Sequence, residues 1–226
     1  MYLEKTAIRG NRLFTYKVAY DKGVAPNPYC GACTLAICKP KIRAAANVGD
    51  IVVGFGCGKD SDRIVYCMLV DEKLSWNEYV ERCRNDTILA DKIPKNEFEA
   101  GDCIWMPNER GIYDKPLPSW SRHEEWAFQQ DVKNGKNILF SRRFWYFGRG
   151  DQHKIVLPPE LRKIVPKKQG HRSNSNNPFI SDFIDFFNLA LQEQNINKDG
   201  RLGEPAEPAP RQSTDTASPK KCSKYS

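Results

Sequence analysis

Residues 21–33, DKGVAPNPYCGAC, place Gly23, Pro26, Pro28 and Gly31 within one short stretch. Proline removes a ladder donor and fixes φ, while glycine escapes the regular φ/ψ regions, so no helix or strand can run through it. Strong regular signals flank this loop. Residues 12–20, RLFTYKVAY, alternate apolar and polar and predict a first strand. Residues 34–38 predict a short buried strand. Pro40 suits the first position of a helix that IRAAAN continues to the Gly49-Asp50 turn, and IVVGFG then opens another strand. The expectation is an α+β domain over residues 1–168, with a strongly bent or barrel-like mixed sheet flanked by short helices.

The remainder of the chain supplies the other elements. Residues 62–70 predict a strand with Ile64, Tyr66 and Met68 on one face and Val65, Cys67 and Leu69 on the other. Residues 75–91 open with Ser75 as N-cap and Glu78 three residues later, a capping box, and Trp76, Tyr79, Val80 and Cys83 form the apolar stripe. A second Gly-Asp turn at Gly101-Asp102 leads into CIWM, expected to be a strand. Residues 107–135 read as irregular, and NILFSRRFWYFG supplies one or two final strands. Beyond them lie a polar linker (169–177) and an amphipathic helix (178–194) with Phe179, Ile180, Phe183, Ile184, Phe187, Ala190 and Leu191 on one face. That helix is expected to dock on the domain, with partner binding as its alternative. Residues 195–226 hold few large apolar groups and are expected to be a disordered tail.

At 226 residues the chain suits one domain with an appendage. No apolar run is long enough for a spanning helix, and Arg9, Arg12 and Lys17 interrupt the N-terminal apolar stretches, which argues against a signal peptide. No membrane association is therefore expected. A reducing, cytoplasmic setting with mostly free thiols is the default for the eight cysteines. The net charge of +7 is concentrated: residues 136–168 hold nine Lys and Arg against Asp151 and Glu160. Phe140, Phe144, Trp145, Tyr146 and Phe147 interleave with those cations, a composition that stacks on exposed bases, although alternation turns some of those rings inward.

Three constellations could carry chemistry. Lys39, Lys41 and Arg43 surround the start of the helix beginning at Pro40, where the helix dipole disfavours cations, so a bound phosphate there would relieve the conflict. The alternative is that these side chains point to solvent. The spacing Cys30-x2-Cys33-x4-Cys38 invites a zinc reading, but structural zinc takes four ligands in close pairs and the other cysteines are scattered, so no metal is expected. Cys33 or Cys38 could instead act as a nucleophile if Lys39 and the helix start lowered its pKa; buried structural thiols are the competing explanation. There is no Walker loop, GxGxxG, HExxH or deaminase signature, and no cofactor is expected. His123 beside Glu124 and Glu125 could supply an acid or base, or could simply be solvated.

The run D-x-G-x-A-P-N-P-x-x-G-x-C-T-L-A-x-C-K-P-x-I-R over residues 21–43 resembles the nucleotide modification-associated domain of the second type, a bacterial and phage family. V-G-D-x-V-V-G at 48–54, the 63–70 strand and ILFSRRFWYFG at 138–148 are similar to it too, so the resemblance covers most of residues 12–165. It implies association with systems that modify, recognise or restrict nucleic acid bases, and hence binding of a modified base, nucleotide or nucleic acid. Asn27, Cys33, Cys38, Lys39 and Arg43 occupy the motif's polar positions. In this reading Lys39, Arg43, Arg142 and Arg143 hold phosphate, Asn27 reads a base edge, and Tyr29 or Trp145 stacks on the base. The rival readings are an enzyme acting on nucleotides through Cys33 or Cys38, and an interaction protein working through the 178–194 helix. By fold analogy, the helix, Gly-Asp turn and strand are similar to those of PUA-like domains of the EVE and ASCH groups.

Overall fold

The computed structural model describes residues 2–4, 12–113, 115–121, 124–150, 152–168 and 170–210. Among them, β1 (Leu13–Lys17) pairs in parallel with β3 (Ile51–Phe55), and β3 pairs antiparallel with β4 (Ile64–Leu69). β7 (Phe144–Tyr146) continues the sheet beyond β4. Two short strands, β8 (His171–Arg172) and β9 (Gly200–Arg201), close its edges, giving the order β8-β1-β3-β4-β7-β9. A second, three-stranded antiparallel sheet orders as β2-β6-β5, from β2 (Cys33–Leu35), β5 (Glu72–Ser75) and β6 (Asn137–Ser141). The predicted NILFSRRFWYFG strands are thus split between the sheets, with the chain crossing at Arg142-Arg143.

The sheets stack face to face, and helices cover their outer sides. On the outer face of the large sheet, Val53, Cys67 and Trp145 pack against Phe183, Ile184, Phe187 and Leu191 of α3 (Ile180–Glu193). Its inner face places Phe14, Tyr66 and Tyr146 against Cys33, Leu35 and Leu139 of the small sheet, and against Ile42 of α1 (Pro40–Ala45). The far side of the small sheet packs Leu74, Ile138 and Phe140 against Tyr79, Val80 and Cys83 of α2 (Trp76–Asn85). The mixed α+β class holds. The single barrel-like sheet does not, because the two sheets remain open and bury their faces on each other. Double coverage is also why β1, β3 and β4 are buried along their whole length.

Local expectations fare unevenly. The capping box of α2 is present: Glu78 N–H donates to Ser75 Oγ at 3.3 Å, and Ser75 N–H donates to Glu78 Oε2 at 2.7 Å. In β4 the predicted alternation is shifted, because Gly54 pairs with Tyr66 while Phe55 pairs with Ile64. The bulge at Val65 moves Ile64 to the outer face beside Cys67 and Leu69. CIWM, expected to be a strand, is buried but irregular: Cys103 N–H donates to Lys92 O at 2.9 Å, and Ile104 O accepts from Leu117 N–H at 2.8 Å, so loop partners replace a ladder. Within the expected linker, residues 170–177 are more than a connection, since β8 extends the large sheet and buried Asn176 donates to Leu13 O at 3.0 Å. Residues 195–210 are not loose either. Ile196 and Pro205 are buried, and Leu202 N–H donates to Tyr146 O at 2.8 Å. The expected tail beyond 210, and His123, lie outside the described residues. Among the described residues no helix is long and apolar enough to cross a membrane.

Candidate functional site

The segment of residues 21–39, which includes β2, ends in two consecutive non-glycine residues with left-handed backbone, Cys38 (φ 59°) and Lys39 (φ 43°). Each such conformation costs about 1–3 kcal/mol and persists only where the surroundings over-determine it. Here the surroundings do so. Cys38 N–H donates to Asp131 Oδ1 at 2.7 Å, and Cys38 O accepts from Arg43 Nε at 2.7 Å. Arg43 also donates to Asn137 O at 3.0 Å and Asp131 O at 2.8 Å, and lies 3.5 Å from the Asp131 carboxylate. Its guanidinium rests on Gly135, where an added Cβ would fall 2.1 Å from Nη2. The sequence reading of Arg43 as a phosphate ligand is therefore corrected: its side chain is fully buried and its donors hold the strained loop. What the loop presents is Lys39. Its ammonium sits 4.8 Å from the centroid of the Tyr16 ring, half-buried, and burial lowers its pKa.

Asn27 is likewise internal. Its Nδ2 donates to Ala100 O at 2.5 Å, and its Oδ1 accepts from Lys92 Nζ at 2.7 Å. Lys92, fully buried, donates in addition to Ala32 O and Thr34 Oγ1, both at 2.9 Å. Thr34 and Tyr79 hydroxyls donate to the Asp102 carboxylate at 2.5 and 2.6 Å. Burial pushes the Asp102 pKa up, with Lys92 opposing it. Asn27 thus has no free edge with which to read a base.

The inner face of the large sheet carries a second polar row that requires the strand register to be seen. His171, Tyr16, Gly54, Tyr66, Tyr146 and Arg201 are successive partners across its six strands. Gly54 makes room for the rings, since a Cβ there would lie 2.4 Å from Tyr66 Cε1. Tyr66 donates to the Tyr16 hydroxyl at 2.9 Å, and Tyr146 donates to Asp21 Oδ1. Burial raises all three phenols and the Asp21 carboxyl.

Cys33 lies fully buried on this face and Cys38 at its rim. Burial pushes the Cys33 thiol up to about 12. Burial, with Asp131, holds Cys38 at about 11 although Lys39 and Arg43 pull the other way. The expected activation of these thiols is overturned: desolvation outweighs the neighbouring cations, and both are protonated at neutral pH. Among the described residues no three His, Cys, Asp or Glu side chains are grouped to hold a metal ion.

The remaining candidates separate. Trp145 is buried in the core at 5.3 Å from Phe187, so it has no face for a base. Tyr29 is half-buried with the Arg201 guanidinium 5.0 Å above its ring, and burial pushes its phenol up to about 12. Nearby, Lys22 sits 5.1 Å over Trp120. Arg142 and Arg143 are exposed, but Arg143 pairs with Asp71 at 2.6 Å and Arg142 approaches Asp86 at 4.0 Å. Arg143 O accepts from Leu69 N–H, which places it where β1 and β3 begin, three residues along the strands from the Tyr16 row. Lys39 and the arginine pair therefore do not converge. The basic stretch of 136–168 is dispersed in the same way, with Arg162 paired to Asp62 at 2.9 Å and Arg149 bonded to Val18 O.

Sequence reasoning missed Tyr66 as the partner of Tyr16 and Tyr146 as the partner of Asp21, because only register aligns the tyrosines. It missed Lys92, Asp102 and Asp131 because they lie in segments without periodicity. A family model described as Nucleotide modification associated domain 2 matches residues 10–210, extending past the 12–165 of the motifs. No curated protein and no solved structure matches the chain.

Proposed function

We propose, starting from the fact that the chain belongs to the nucleotide modification associated domain 2 family, that it is a binding module for a modified base, a nucleotide or a nucleic acid carrying one, serving the modification or restriction of nucleic acids. The observation that carries this reading is the rim of the motif loop. Two half-buried aromatic rings there, Tyr29 and Trp120, each have a cation 5.0–5.1 Å from the ring centre. Aromatic faces interleaved with Lys and Arg suit stacked bases and their phosphates. Tyr29 is the proposed stacking residue and Lys39 a proposed phosphate contact, while Arg142 and Arg143 form a separate cationic patch for a longer nucleic acid. Thiol catalysis draws no support from Cys33 and Cys38, which burial keeps protonated. The 178–194 helix is a weak candidate for partner binding, because Phe183, Phe187 and Leu191 are already covered by the large sheet.

Titration of oligonucleotides bearing modified bases, against unmodified controls, tests the proposal. The expected result is saturable binding that weakens as salt rises and is lost in Tyr29→Ala, with no chemical change in the ligand. Product formation abolished by Cys33→Ser or Cys38→Ser would replace it with the enzyme reading.

A further inference from the structure

The parallel strands β1 and β3 end at Lys17 and Phe55, and three loops meet beyond them. Val18 N–H donates to Phe55 O at 2.8 Å, and Gly56 N–H donates to Arg63 O at 2.9 Å. Val18 O in turn accepts from Cys57 Sγ at 3.6 Å and from Arg149 Nη2. Arg63 Nη2 donates to Gly150 O, next to Arg149. Two guanidiniums are thereby lodged at one end of the sheet, each tied by one nitrogen to the backbone.

Their Nε donors are not matched. The Nε–H groups of Arg63 and Arg149 are both buried and without an acceptor; among the described residues, the only other such side-chain atom is Trp145 Nε1. Arg63 is 3% exposed, and neither arginine has a carboxylate within 4 Å among the described residues. Nor does Lys39, whose charge, like that of Lys17, bears on Cys57 between them. Asp21 is near enough to feel Arg149 but bonds to Tyr146 and to Ala206 N–H at 3.2 Å instead. A guanidinium stays ionised under all ordinary conditions, so a buried one such as Arg63, with no carboxylate within 4 Å among the described residues, is unfavourable as it stands.

We infer that the C-terminal end of β1 and β3 is an anion subsite, in which Arg63 and Arg149 grip the phosphate group of a nucleotide and Lys39 closes its rim. Planar guanidiniums offer paired N–H groups that match two phosphate oxygens, and two of them with an ammonium suit a dianionic group. This rests on the nucleotide reading above and replaces the helix start at Pro40 as the phosphate seat. Arg149 and Lys39 are half-buried, which leaves the subsite a route to solvent.

The test is calorimetric titration of the full chain with inorganic pyrophosphate, with nucleoside 5′-monophosphates and with the corresponding nucleosides. Arg149→Gln should weaken pyrophosphate and nucleotide binding by about 10- to 100-fold while leaving nucleoside binding unchanged. Arg82→Gln, on α2 and paired with Glu72 at 2.6 Å, should change neither by more than about 2-fold. Pyrophosphate should also raise the melting temperature of the wild type and not of Arg149→Gln, by mass action on the folded state. Arg63→Gln is the stricter variant; if it does not fold, Arg149→Gln and Lys39→Gln decide. Nucleotides bound as tightly by Arg149→Gln as by wild type would overturn the subsite and leave the base-binding reading intact. Arginine-dependent binding of pyrophosphate with no binding of any nucleotide or nucleoside would keep the subsite and overturn that reading. Failure of every phosphate compound to bind overturns the subsite.

Discussion

Two polar clusters lie on opposite sides of β2 and differ in whether their hydrogen-bonding capacity is closed. On the side of α2, Lys92 reaches oxygens of Asn27, Ala32 and Thr34, while Asp102 accepts from Thr34 and Tyr79. Every polar group there has a partner, and Lys92, Thr34 and Asp102 are fully buried. On the side of the large sheet, Lys39, Arg63 and Arg149 have no carboxylate within 4 Å among the described residues, and two guanidinium nitrogens lack acceptors. The motif of residues 21–43 contributes to both. Its Asn27, Thr34 and Arg43 hold structure, and its Tyr29 and Lys39 are presented. Residues that look equivalent in a motif thus divide by whether their partners are already inside the protein.

The largest expected effect is on the closed cluster. Lys92→Met would leave buried oxygens of Asn27, Ala32 and Thr34 without their donor and remove the charge that acts on the buried Asp102 carboxylate, which together should cost about 3–5 kcal/mol. Urea unfolding measures it, and a loss below about 1 kcal/mol would show the cluster to be wetter and looser than described. The pH dependence has a definite sign. Burial raises the Asp102 pKa, and the variant lacks the Lys92 charge that opposes the rise. The native state then holds the proton more tightly than the unfolded chain, so stability falls as pH climbs above the unfolded carboxylate value of about 3.9. The deficit of Lys92→Met relative to wild type should therefore be smallest in acid and grow toward neutrality.

Gly54→Ala probes the layer beneath the open cluster. The new Cβ would meet Tyr66 Cε1 at 2.4 Å and Val18 Cγ2 at 2.6 Å, inside a face packed on both sides. Overpacking of this kind costs about 1–3 kcal/mol. Because Tyr66 donates to Tyr16, and Tyr16 carries Lys39, ligand affinity should fall together with melting temperature. Lost stability with unchanged affinity would separate the tyrosine row from the site.

How far the sequence could be read follows the same division. The helices were legible because their signals are local: a capping box at Ser75, a proline at position 40, an apolar stripe ending at Leu191. The motif at 21–43 was legible as a unit, yet the roles within it were not. Arg43 reads as a surface cation beside a helix start, and only Asp131, 88 positions away, turns it inward. The row from His171 to Arg201 depends on five strand pairings, and a bulge at Val65 alters the phase of one strand. Residues 195–210 are polar in composition and still order, because β9 joins β7 and Pro205 is buried against Gly23. Composition records what a segment can bury by itself and says nothing of an edge that waits for it.

The Cys38 thiol gives a smaller, chemical contrast between the two sides. It sits at the rim of the open cluster beside Lys39, where cations alone would make it reactive, but burial holds it at about 11. At pH 7.5 its thiolate fraction is roughly 300-fold below that of an ordinary thiol of pKa 8.5, and the higher nucleophilicity of the more basic thiolate recovers about a tenfold factor. Alkylation by iodoacetamide, followed by peptide mapping, should therefore run roughly 30-fold slower at Cys38 than at a free peptide cysteine. The rate should keep rising with pH to about 11. Fast labelling at neutral pH would place the thiol in a polar, solvated site and return it to the list of nucleophiles.

Arg143→Gln carries the smallest expected effect, and it tests whether charge concentration in sequence means anything in the fold. Arg143 lies in the most basic stretch of the chain, but its 2.6 Å pair with Asp71 is half-exposed at the start of β7. Exposed pairs of this kind contribute about 0–1 kcal/mol, and Asp71 keeps the backbone N–H of Arg142 at 2.7 Å as a second partner. Stability should change by less than about 1 kcal/mol, and mononucleotide affinity by less than about 2-fold. Only a longer nucleic acid, reaching from the motif rim to the turn between the sheets, should register the loss, as a shallower dependence of affinity on salt. If instead mononucleotide binding collapses in Arg143→Gln, the ligand sits where β1 and β3 begin rather than where they end, and the unmatched arginines at Arg63 and Arg149 are a cost that the fold simply tolerates.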